Sequence, residues 1–356
     1  MDSYDADILL PVVAALLDQK VRHAIALGAA IGGDQYPWKP DRSAYRGSHG
    51  STVRRLKKLK ETVGPLLFLA GMCFIFIYVF RNWHDLMQTF SRTNMVLFSV
   101  SVMVLLLYNF FVSMLFWRTL TRLGFAVTVG RVARTFLLSQ AAKYVPGKIW
   151  MIVYQKSSFR NAIPIAPLTL ANVYFIFLVF VLTFCIAITA YAFTIYHWLI
   201  VPAVVAGGGG FIALQRSTIF WRLCTRLTGI QSDWHLEHDF VRSQALLYPL
   251  IVGTYILAHY LLIKSLYDIG SDNAILVVAT LALSWTISSL AVVIPSGIVL
   301  RELIFFGVTS FVAPDLDPLL IASIAVMSRF WLVTVDVLGV ICAMIFFGLG
   351  KVDANE

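Results

Sequence analysis

The chain has 356 residues, of which 59% are apolar and only 13% charged, and its net charge is +9. So few charges exclude an ordinary water-soluble globular domain, and a mean hydropathy of +0.80 places the chain among integral membrane proteins. In a soluble protein the basic balance would suggest nucleic acid; here the Lys and Arg residues lie between apolar runs, so they read as signals of membrane orientation and no nucleic-acid partner is expected.

Residues 1–53 come first. The apolar run 8–17 is broken by Asp18, Gln19, Lys20, Arg22 and His23, so it is too short to span. It also lacks the basic start and small-residue cleavage site of a secretory signal, and is expected to stay in the mature protein. An amphipathic cytoplasmic or interfacial helix followed by a loose stretch fits residues 1–53. A polytopic membrane domain is predicted for 54–351, and a cytoplasmic tail for 352–356.

A helix needs about 20 mainly apolar residues to cross the hydrocarbon core. Runs of that order occupy 63–80, 95–117, 168–193, 196–214, 245–267, 273–294 and 319–349. Barrel strands would alternate polar and apolar residues over shorter segments, so the expected fold is an all-α integral membrane protein with about seven or eight transmembrane helices.

The basic cluster Arg54, Arg55, Lys57, Lys58 and Lys60 precedes the first run, which by the positive-inside rule puts the N-terminus in the cytoplasm. Arg118, Arg122, Arg131 and Arg134 follow the second run, and Arg216, Arg222 and Arg226 the fourth, so these loops read as cytoplasmic. Loops 193–196, 268–272 and 314–318 contain no Lys or Arg and read as external. Arg81 and Arg92, offset by Asp85, leave that bias intact. The cytoplasmic (inner) membrane is the expected location.

Two segments carry Pro and Gly inside apolar sequence. Within 135–156, Pro146 and Gly147 leave arms only about half a membrane long, with basic residues on both sides, so the segment should dip in and return. The second break, at Pro295, Ser296 and Gly297, follows 149 residues later (295 minus 146). Its flanks begin and end outside, opposite to the first, as in an inverted repeat whose halves centre on 135–160 and 281–313. Secondary transporters place substrate between such broken helices near the midplane. Residues 273–313 fit two full spans as well as two half-helices. The glycines 207–210 follow no strand, so they read as close packing or a flexible helix end rather than a phosphate cradle.

Ionisable residues inside spans are costly unless paired or facing a wet cavity. Lys143 and Lys148 flank the first break, Arg301 and Glu302 follow the second, and Arg329 and Asp336 lie seven apart on the last run. Four cations face two anions, and an anionic lipid phosphate would balance them. The plainer alternative has the lysines snorkelling to the interface and Arg329 paired structurally with Asp336. The candidate substrate-binding set is Lys143, Pro146, Gly147, Lys148, Pro295, Gly297, Arg301, Glu302, Arg329 and Asp336. His235 and His238 among Asp233, Glu237 and Asp239 lack a placed third ligand and read as a solvated loop. Asp315 and Asp317 form a D-x-D such as glycosyltransferases use, in a turn where two acids arise easily by chance. The four cysteines, Cys73, Cys185, Cys224 and Cys342, have no metal or redox spacing. No Walker loop, H-E-x-x-H or G-x-S-x-G occurs, so no cofactor is expected and an enzyme is less favoured than a transporter.

At the broken segments the chain resembles the flippase-like family, the transmembrane region of lysylphosphatidylglycerol synthase and of the multiple peptide resistance factor. The likeness rests on Lys143-Tyr144-Val145-Pro146-Gly147-Lys148, on Pro295-Ser296-Gly297-Ile298-Val299-Leu300-Arg301-Glu302, and on Ser328-Arg329. Relative to the family's second motif, Ser296 and Val299 replace glycines while Glu302 keeps the acidic place. The resemblance implies movement of an amphipathic lipid or lipid-linked sugar between leaflets, often beside a soluble glycosyltransferase or synthase. Aminoacylation of lipid would need a further catalytic domain and is not expected of this sequence. A lipid-modifying enzyme using the external acids and a non-catalytic membrane partner of a soluble enzyme are the competing readings.

Overall fold

The computed structural model describes residues 91–142, 149–159, 162–220, 238–290 and 300–346, with Phe80, Met87, Arg222 and Cys224. The N-terminal segment, all but the end of the 63–80 run, both Pro/Gly breaks with Lys143 and Lys148, residues 233–237 and the C-terminal tail lie outside these. The described chain is an all-α membrane protein: α1 (Met95–Arg122), α2 (Val129–Ala141), α3 (Ile149–Phe159), α4 (Ile165–Ile195), α5 (Ile200–Arg216), α6 (His238–Leu266), α7 (Ser271–Leu290), α8 (Leu300–Val312) and α9 (Pro318–Phe346). Six stretches are long and apolar enough to cross a membrane: α1, α4, α5 with the turn before it, and much of α6, α7 and α9. They coincide with the second to seventh apolar runs of the sequence.

Local chemistry sets the helix boundaries. The Asn94 side chain accepts from the backbone N–H groups of Val96 and Leu97 at 3.1 and 3.2 Å and starts α1. Thr128 does the same for α2, accepting from Arg131 N. Asp317 Oδ1 accepts from Leu319 N at 3.0 Å and starts α9, which gives one acid of the D-x-D a structural task. Gly124, at φ +76°, takes the left-handed conformation that ends the turn after α1.

Helix α2, with 13 residues, is too short to cross, and α3 is described over 11 residues. Arg131, at the start of α2, donates to Phe159 O at the end of α3 (3.3 Å), so the pair returns to the level from which it set out. Thr135 and Ser158 bond across it at 2.8 Å. The second break is built alike: Thr309 on α8 donates to Thr280 on α7, also at 2.8 Å. Among the described residues its arms are α7, which is long enough to cross a membrane, and the 13 residues of α8 that follow the break.

Shifting the chain by 149 residues lays α1 on α6, α2 on the second half of α7, α3 on α8 and α4 on α9. The packing obeys the same exchange. Helix α4 lies along α7 as α2 lies along α9, α8 meets α9 as α3 meets α4, and α1 lies along α6, its own equivalent. Asn94 N, at the start of α1, donates to Ser265 O near the end of α6 (2.8 Å). Further in, the rings of Tyr108 and Tyr255 meet at 5.4 Å. Moving forward along α1 is therefore moving backward along α6, and the equivalent helices are antiparallel, as an inverted repeat requires.

The core fills around Phe116, Phe136 and Phe175, whose rings meet edge-on or tilted at 5.1 to 5.9 Å between α1, α2 and α4. Helix α5 sits outside the twofold arrangement and packs mainly against α4 and α6. Gly207 makes that contact possible, because a Cβ there would overlap the Tyr248 hydroxyl and press on Cys185. The close-packing reading of this glycine run thus holds at Gly207, in mid-helix.

Candidate functional site

Arg329 is the twelfth of the 29 residues of α9, about 17 Å along a helix about 43 Å long, so it sits in the middle third of that helix. Opposite it, the first turn of α8 carries Arg301 and Glu302. Arg329 Nε donates directly to Glu302 Oε1, and Arg301 Nε lies 4.0 Å from the same oxygen. Arg301 also donates from Nη2 to Ser328 Oγ at 2.8 Å, and Ser328 passes its proton to Ala325 O. Two guanidiniums on neighbouring helices therefore converge on one carboxylate. Arg301 is 6% exposed, and the Glu302 side chain 15%, so solvent screens this cluster little.

Arg329 Nη2 is buried and has no hydrogen-bond partner among the described residues. A buried donor left unmade costs about 1–3 kcal/mol, more when it is charged. The salt bridge of Arg329 runs to Glu302 on the neighbouring helix, not to Asp336 seven residues along its own, which departs from the pairing that the spacing suggested. Asp336 is itself buried. It lines a groove of about 320 Å³ together with Ala141 at the end of α2 and Val333, Val337, Val340 and Ile341 on α9.

Other buried polar groups carried no signal in the sequence. His259 on α6 is fully enclosed: its Nδ1 is bonded to Tyr255 O at 2.9 Å, its ring stacks on Tyr255 at 3.9 Å, and Trp331 meets it edge-on at 4.9 Å. Trp331 in turn donates to Ser101 Oγ on α1 (2.9 Å). In the other half, at the junction equivalent to α8–α9, Asn172 donates to Gln155 Oε1 at 2.8 Å and Gln155 donates to Ser139 Oγ at 3.3 Å. All three residues are 0% exposed. One repeat thus holds a neutral amide and hydroxyl network where the other holds ions. His259 and Asn172 stand singly in apolar runs, and Gln155 and Ser139 sit beside other polar residues, so the local pattern distinguishes none of them.

The predicted site residues fall into two groups. Arg301, Glu302 and Arg329 come together, and Asp336 lies two turns further along α9. Lys143, Pro146, Gly147, Lys148, Pro295 and Gly297 lie outside the described residues. Among the described residues, no group of three His, Cys, Asp or Glu side chains could hold a metal ion. Comparison of the chain with protein-family models, with curated proteins and with solved structures gives no match in any of the three.

Proposed function

We propose that this protein moves an anionic lipid, or a lipid-linked saccharide carrying phosphate, between the leaflets of the cytoplasmic membrane, with its N-terminus in the cytoplasm. The observation that carries this reading is the convergence of Arg301 and Arg329 on the single carboxylate of Glu302 beside the middle third of α9. Here a guanidinium N–H is left over, and a phosphate oxygen supplies the acceptor it lacks. The inverted arrangement of helices supports the reading, because two equivalent halves facing opposite leaflets are how alternating access is built.

In this mechanism Arg329 and Arg301 hold the phosphate midway along its path. A soluble glycosyltransferase or synthase would make or consume the lipid. The capping role of Asp317 favours transport over an enzyme built on the external acids. The test is translocation of fluorescent phosphatidylglycerol in proteoliposomes. Arg301→Gln should slow it by about tenfold or more, the factor that a lost charge-assisted hydrogen bond confers, while Asp315→Asn leaves it unchanged. Full translocation by Arg301→Gln at normal yield would sink the proposal.

A further inference from the structure

The twofold exchange pairs two seams, and they differ. Between α4 and α7 the seam is shut: Thr286 donates to Thr183 Oγ1 at 2.9 Å, both side chains buried. Its equivalent, between α9 and α2, opens into the groove of about 320 Å³. That groove faces the bilayer, since Val333, Val337 and Ile341 are 44%, 52% and 43% exposed. Val333, Val337 and Ile341 of its floor lie on one ridge of α9, and Asp336 and Val340 line it beside them. Arg329, Val333, Val337 and Ile341 follow one another at steps of four along α9, so they line one stripe of the helix. A guanidinium with an unmet N–H stands about one turn above the groove, and the aliphatic residues from 333 to 341 extend about 12 Å along the helix below it.

We infer that the α2–α9 groove is a lateral binding site for one acyl chain of an anionic phospholipid whose phosphate rests on Arg329. A charged head followed by an apolar track of fixed direction has the shape of an amphiphile, and the groove opens to the medium in which such lipids are dissolved. Gly339 brings α9 against Leu106 and Leu137, closing the far side, so the chain enters from the bilayer alone. The shut α4–α7 seam is then the same site in the opposite half, and exchange of the two conformations exposes it towards the other leaflet. This inference rests on the proposed transport for the exchange step and on the groove's own chemistry for the binding.

The test separates the two. A photo-crosslinking amino acid, p-benzoylphenylalanine, is placed at Val337 in the full-length protein, or at Val201 on the exposed face of α5 as a reference. Each protein is irradiated in vesicles of phosphatidylglycerol and phosphatidylcholine in equal amounts, and the lipid adducts are identified by mass spectrometry. Position 337 should capture phosphatidylglycerol with an enrichment of about tenfold, lost when Arg329→Gln is added, while position 201 returns the bulk ratio. A bulk ratio at 337, or enrichment that survives Arg329→Gln, overturns the site. Enrichment without translocation would keep the groove and remove the transport reading; translocation without enrichment would do the reverse.

Discussion

Glu302 is the residue on which the charge cluster turns. It is the one carboxylate that Arg301 and Arg329 both approach, so Glu302→Gln leaves two guanidiniums facing each other in a low dielectric. Breaking a buried pair by removing one partner costs about 3–5 kcal/mol. Thermal unfolding in detergent should show this loss, and adding Arg329→Gln should restore most of it while lipid translocation stays lost. A double variant as unstable as the single one would mean that Glu302 does not act as the counter-charge of Arg329. The sequence makes the members of this cluster conspicuous, because ions in apolar runs are rare. It does not make their pairing readable. Arg329 and Asp336 share a helix face by spacing, whereas Glu302 reaches Arg329 only because α8 packs on α9. Buried Asn172 and His259 illustrate the opposite limit: neutral groups, single in their runs, that meet Gln155 and Trp331 on other helices.

At the scale of the elements, spans were legible because an uninterrupted apolar run of membrane length has one stable outcome, a helix with its backbone bonds internal. That is why the predicted 95–117 and the observed Met95–Arg122 share a start, while their ends differ by the few polar residues that prolong a helix into the interface. What the runs leave open is which helices touch, and the seam of α4 with α7 is a contact of that kind. Thr183→Cys with Thr286→Cys, in a chain whose four native cysteines are replaced, should form a disulfide under oxidation, since the two hydroxyls already lie 2.9 Å apart. Translocation should stop on oxidation and return with reductant. Unimpaired translocation by the fully cross-linked protein would show that this seam does not open during transport.

For the molecule as a whole, the twofold arrangement and the loop charges make one joint claim about sidedness. A cysteine introduced at Tyr196 or Asp272 should react with an impermeant maleimide in intact cells, and one at Thr128 or Ser217 only after permeabilisation. The reversed pattern would turn the molecule over. The antiparallel contact of α1 with α6 also gives a meaning to α5, which buries little of itself and stands outside the repeat. Among the described residues three helices long enough to cross lie between the equivalent positions, α1, α4 and α5, while the α2–α3 pair comes back to where it began. Three is odd, so the second half enters the bilayer upside down relative to the first. Helix α5 therefore serves by parity more than by packing: without it the count becomes even, α6 is threaded in the same sense as α1, and the pairing of Asn94 with Ser265 that marks the twofold can no longer form.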